Sequence, residues 1–199
     1  MSDAEALLQR FFAKRDGIVL IAGTGSVCLG ASWVGGSKQV VRAGGWGVYL
    51  DKGCGFSLGL GVLDAALRAV DRRGPRTQAV ELLCRRYGIN LNQVPDRFLP
   101  VRRGEVAELA RVALESAAEG DQHTRRLVRQ AASELAEMVR VVSGGLCLAG
   151  AFDIALSGGL FENAHFMKSF KRKLKNKMPP ATLIHVTDPL AALIASMKA

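Results

Sequence analysis

The sequence predicts an α/β protein in which a mixed sheet is flanked by helices, and three observations predict it. Between Gly17 and Gly61, apolar runs alternate with glycine-rich turns, the pattern of a meander of three short strands. Residues 56 to 143 then carry apolar positions at helical spacing, punctuated by Gly-Pro, Gly and Gly-Asp signals that stop and restart helices. From Phe152 onward the pattern becomes strand, helix, strand, helix. Three strands, a helical insert and this alternating tail together give the mixed sheet.

Taken in order, Ser2 and Asp3 make a helix start, because short polar side chains accept from the free amides of a first turn. Leu7, Leu8, Phe11 and Phe12 then recur on one face. Gly17 ends this helix and opens the first strand, Ile18 to Ile21. The turn Gly23-Thr24-Gly25-Ser26 leads into the second strand, Val27 to Trp33, and the third follows at Gln39 to Arg42. Glycines in that first turn can expose consecutive N–H groups beside two hydroxyls, a concavity that suits phosphate oxygens; a tight hairpin would use the same glycines. The loop Ala43-Gly44-Gly45-Trp46-Gly47 comes next, followed by Asp51-Lys52-Gly53-Cys54-Gly55.

Residues 56 to 72 read as a helix with Leu58, Val62, Leu63, Ala66, Leu67 and Val70 in one stripe, stopped by Gly74-Pro75. Thr77 caps the next helix, which carries Val80, Leu83, Cys84 and Tyr87, ends at Gly88 and gives way to an irregular stretch with Pro95 and Pro100. Two helices follow between Gly104 and Ser143, broken at Gly120-Asp121, with Asp121 capping the second. Phe152 to Leu156 is a buried strand ending in Ser157-Gly158-Gly159. Asn163 to Lys177 is helical, Thr182 to Val186 is the last strand, and Pro189 opens a closing helix.

At 199 residues and 49% hydrophobic, the chain is long and apolar enough for a substantial core, and no linker or repeat divides it. The formal charge of +9 favours anionic ligands such as nucleotides. The basic run from Lys168 to Lys177 winds around its helix without interleaved aromatics, which reads as a solvated face and not as a nucleic-acid stripe. Cys28, Cys54, Cys84 and Cys147 are scattered, and His123, His165 and His185 form no ligand pattern, so no metal site is expected from them. The amino terminus lacks an apolar signal core, and no apolar run approaches the roughly 20 residues that cross a bilayer, so the expected location is the cytoplasm.

Four stretches, IAGTGS at Ile21 to Ser26, AGGWG at Ala43 to Gly47, DKGCGFSLG at Asp51 to Gly59 and ALSGGLFEN at Ala155 to Asn163, carry a resemblance. In this order and at these distances, and with the RGPRT at Arg73 to Thr77, the chain resembles the carboxyl-terminal half of the BadF/BadG/BcrA/BcrD ATPase family, whose enzymatic relatives include N-acetylglucosamine and glucosamine kinases. The resemblance implies a single ribonuclease H-like lobe of the actin, sugar-kinase and Hsp70 fold over residues 1–199, with a helical insert at about 56–143. The amino-terminal lobe, with its D-G-G-G-T-K phosphate loop, is expected to be absent.

By that resemblance, Thr24, Gly25 and Ser26 form the second phosphate loop, and Gly158, Gly159 and Asn163 meet the adenosine. Asp3 is the general base on a sugar hydroxyl, and Gly44, Gly45, Trp46, Gly47 and Asp51 line the sugar pocket. ATP and Mg²⁺ are the implied cofactors. The implied partners are a nucleotide, a small sugar and either a separate amino-terminal half or a homodimer partner. The family's usual G-D-E-G-S-G departs here to Asp51-Lys52-Gly53-Cys54-Gly55, without the leading glycine. The expected function is therefore the ATP-binding lobe of an amino-sugar kinase. The alternatives are an ATPase activator of an acyl-CoA dehydratase or reductase, and a non-catalytic lobe that binds nucleotide or a partner.

Overall fold

The computed structural model describes residues 2–98, 102–148, 150–175 and 181–186, and all statements of structure concern these. Its centre is a five-stranded sheet built from β1 (Gly17–Ala22), β2 (Ser26–Val34), β3 (Ser37–Gly44), β4 (Phe152–Ser157) and β5 (Ala181–His185), in the order β3-β2-β1-β4-β5. The first three strands form the antiparallel meander, whereas β1 pairs with β4, and β4 with β5, in parallel. The strand at the centre is the one with the most continuous apolar run, Gly17 to Ala22, as expected where both faces of a strand are covered.

Alternation along the strands divides the core in two. On one face Ile18, Leu20, Cys28, Ile154 and Leu156 meet the helices of the insert. On the other, Val19, Leu29, Ala31 and Ala155 meet α1 (Asp3–Phe12) through Ala4, Leu7, Leu8 and Phe12. The Phe12 ring lies on Gly17, where a Cβ would fall 2.1 Å from ring carbons, so this glycine is required by packing. The guanidinium of Arg15 stacks on the same ring at 4.8 Å and also pairs with Asp153, fastening the end of α1 to β4.

Between β3 and β4 run α2 (Gly55–Val70), α3 (Gln78–Tyr87), a short 3₁₀ turn (Leu91–Gln93), α4 (Val94–Phe98), α5 (Arg103–Glu108), α6 (Ala110–Glu119) and α7 (Gln122–Gly145). The stretch around Pro95, expected to be irregular, is helical, because the proline falls in the first turn of α4, where its missing N–H is no loss. The expected single helix after Gly104 is broken at Leu109. There α5 packs on α2 so closely that a Cβ on Gly59 would lie 1.8 Å from the Val106 carbonyl oxygen, and α6 begins at Ala110. Finally α8 (Ala164–Lys175) packs on α7 through Phe166, Phe170 and Leu174. The expected closing helix at Pro189 lies outside the described residues.

Asp121 ties the insert together. One carboxylate oxygen accepts from the Thr124 amide at 2.9 Å, capping α7, and the other accepts from the Ala79 amide at 3.0 Å in the first turn of α3. Burial alone would raise its pKa, but the bonds from Thr124 and Ala79 outweigh it and hold the carboxyl below its ordinary 3.8. A lowered folded-state pKa makes this contribution complete above about 4 and lost as pH falls through the folded value.

Two outcomes are expected in urea denaturation. Phe12→Ala should lower unfolding stability by about 3–5 kcal/mol, because the cavity it leaves is walled by rigid sheet. Asp121→Ala should lower it by about 1–2 kcal/mol at pH 7, with the difference from wild type shrinking as pH falls below about 4.

Candidate functional site

In a sheet with parallel strands, the carboxyl ends of neighbouring strands place their following loops side by side, and ligands collect where consecutive connections diverge. The β1–β4 pairing does this here: Ile21 sits opposite Ser157, so the turn Gly23 to Ser26 and the turn Ser157 to Gly159 are neighbours. Their approach is close enough to demand glycine. Gly158 has φ +110°, and a Cβ on it would lie 2.3 Å from the Ala22 carbonyl oxygen.

A cavity of about 360 Å³ opens beside these turns, walled by Gly23, Thr24, Gly55, Gly159 and the facing side of α5 and α6. A Cβ on Gly23 or Gly159 would meet no atom within 4 Å, so both turns present bare backbone toward open space. Gly104, Ala107, Glu108, Arg111 and Leu114 complete the wall. Sequence reasoning did not single these out, although two small residues three apart, Gly104 and Ala107, were the available signal for a helix face that something must approach.

The first turn is locked onto α2. The carbonyls of Gly23 and Thr24 accept from the Gly55 amide at 2.8 Å and the Phe56 amide at 3.2 Å, satisfying the first donors of the helix. Ser26, expected at the phosphate, is 3% exposed and turned inward, its hydroxyl donating to the Lys52 carbonyl at 2.6 Å. Asn163 likewise does not reach the cavity: its side-chain oxygen accepts from the Phe166 amide at 2.9 Å and caps α8.

On the other side of the sheet end, a second cavity of about 390 Å³ brings Asp3 together with Gly45, Arg42, Ile21 and Val27. The helix start is capped by Ser2 and Glu5: the Glu5 amide donates to the Ser2 hydroxyl at 3.3 Å, and the Ser2 amide to the Glu5 carboxylate at 2.7 Å. This capping box does the work a terminal Asp could have done, and among the described residues the exposed Asp3 carboxylate has no hydrogen-bond or ion-pair partner. The glycine loop runs past this cavity with Gly44 at φ +73°, Gly45 at +71° and Gly47 at +117°, and leaves Trp46 73% exposed.

Asp51 joins the two sides. It is 7% exposed, and one oxygen accepts from the Trp46 amide at 2.9 Å while the other accepts from the Ser26 amide at 3.4 Å. Its carboxylate therefore faces the two loops themselves. A larger cavity of about 570 Å³ lies at the opposite end of the insert, around Arg68, Thr77 and Asp121, about 20 Å along α2 from Gly55 by helix rise, and contains none of these residues.

The sheet order and the paired glycine turns define one lobe of the fold shared by sugar kinases and actin. A candidate N-acetylglucosamine kinase from Chromobacterium violaceum superimposes with a TM-score of 0.78 at 22% identity, over 98% of this chain and 64% of that one. The chain belongs to the BadF/BadG/BcrA/BcrD ATPase family, which matches residues 2–193. Among curated relatives it is 32% identical over 190 residues to the N-acetylmuramic acid/N-acetylglucosamine kinase of Clostridium acetobutylicum, and 30% identical over 193 residues to the N-acetyl-D-glucosamine kinase of Dictyostelium discoideum. Each match takes in 92% of this chain, which spans 61% and 60% of those relatives' lengths.

Removing the Asp51 carboxylate leaves two backbone donors without an acceptor. Asp51→Ala is expected to lower stability by about 1–3 kcal/mol in chemical denaturation, with Asp51→Asn intermediate because it retains one acceptor oxygen.

Proposed function

We propose that this chain is the nucleotide-binding lobe of an ATP-dependent kinase acting on an amino sugar of the N-acetylglucosamine type. The observation that carries the reading is the pair of cavities flanking one sheet end, with bare glycine turns in one and an unpartnered carboxylate in the other. Phosphoryl transfer needs this arrangement more than it needs covalent chemistry, because catalysis rests on holding donor and acceptor in line and stabilising charge.

In this reading the Thr24 and Gly25 amides and the Thr24 hydroxyl hold phosphate oxygens, and Ser26 keeps the turn in shape from behind. Gly158, Gly159, Gly104 and Ala107 border the adenosine. Asp3 takes the proton from the sugar hydroxyl as the oxygen–phosphorus bond forms and the bond to ADP breaks. Gly44, Gly45, Trp46 and Gly47 hold the sugar, oriented by Asp51 through the loop. Mg²⁺ bound with the nucleotide would supply counter-charge to the phosphates. Contacts from a second lobe complete the cleft. The names of the two kinases related to this chain support an amino sugar as acceptor.

A coupled ADP-release assay on the full-length polypeptide, with N-acetylglucosamine, glucosamine and glucose, tests the reading. Amino-sugar-stimulated release is expected, and Asp3→Asn should reduce kcat by about 10²–10⁴-fold, the range for loss of a general base. Release that none of the three sugars stimulates would overturn it.

A further inference from the structure

Arg42, the third residue from the end of β3, has no part in the reading above, yet it lies where the glycine loop and Asp3 meet. Its register partner is Leu29, whose side chain packs against α1, so strand alternation puts Arg42 on the α1 face of the sheet, in the cavity with Asp3 and Gly45. Its Nε donates to the Gly44 carbonyl at 2.9 Å, a second guanidinium nitrogen donates to the Gly45 carbonyl, and the group stacks on the Trp46 ring at 5.4 Å. Asp3 and Glu5 line the same cavity, but among the described residues Arg42 forms no ion pair with a carboxylate.

Backbone hydrogen bonds also hold the loop, and the Gly47 carbonyl accepts from the Leu50 amide at 2.8 Å and the Asp51 amide at 2.9 Å. Gly45 N–H donates to the Ser26 carbonyl at 2.8 Å and Trp46 N–H to Asp51, both from the inner side. Glycines at positive φ have wide backbone freedom, and two adjacent carbonyls on the outer side need donors to fix their direction. A planar guanidinium can serve both carbonyls and still present a face to an aromatic ring, whereas an ammonium is a single point charge.

We infer that Arg42 is a positioning residue that clamps the Gly44–Gly45 carbonyls and the Trp46 ring, and so fixes the sugar-binding loop opposite Asp3. The effect on sugar rests on the kinase reading; the clamp itself does not. Hydrogen exchange of peptides covering residues 43–50 and steady-state kinetics are compared for wild type, Arg42→Met and Arg42→Lys on the same polypeptide. Arg42→Met should speed loop exchange about 10-fold, and raise the amino-sugar KM by a similar factor with kcat within about 3-fold, as expected for loss of a charged hydrogen-bond clamp. Arg42→Lys, which keeps the charge without the fork, should remain impaired in both. Wild-type loop exchange in either variant would overturn the clamp, and Arg42→Lys decides the matter if Arg42→Met does not fold. If wild type phosphorylates no amino sugar, the kinase reading fails while the exchange comparison still judges the clamp.

Discussion

Everything at the candidate site depends on the parallel pairing of β1 with β4. These strands are more than a hundred residues apart in sequence, yet the register that sets Ile21 opposite Ser157 brings two glycine turns to one edge and presses Gly158 against the Ala22 carbonyl. A slip of one residue would exchange the two faces of β4, sending Ile154 and Leu156 toward α1 and Ala155 toward the insert. The insert interrupts the sheet in sequence without interrupting it in space, and its α5 and α6 return to wall the cavity beside the two glycine turns.

The two cavities are coupled through short polar links. Asp51 accepts from the turn on one side and from the glycine loop on the other, Ser26 donates to Lys52 beneath them, and the amides that start α2 are bonded to the carbonyls of the same turn. The departure from the family's acidic-glycine motif falls in this region. Cys54 stands at the cap of α2, where its backbone N–H and carbonyl both bond to the Ser57 hydroxyl, so the helix start is kept with a different side chain.

The strands and most helices were legible because each carries its own period and its own stop signals. Thr77 and Asp121 are caps as their residue types and positions suggest, and the antiparallel meander follows from three adjacent apolar runs. The break at Leu109 was not legible: it adjoins the close contact between α2 and α5, which no local pattern encodes. The site was partly legible in the same sense. Asp3, Thr24, Gly45 and Gly159 lie in cavities, whereas Ser26, Asp51 and Asn163 spend their polar atoms on the surrounding backbone. Residue type at a motif position does not tell which way a side chain turns, and Arg42 was missed because it belongs to a strand and not to a glycine loop.

The capping box of Ser2 and Glu5 has a consequence beyond helix stability. Asp3 rides on the first turn of α1, the part of any helix that frays most readily, and its aim holds only in molecules whose first turn is wound. Two side chains at the rim of the Asp3 cavity thus bear on a winding equilibrium, and through it on the share of molecules in which the candidate base is in position.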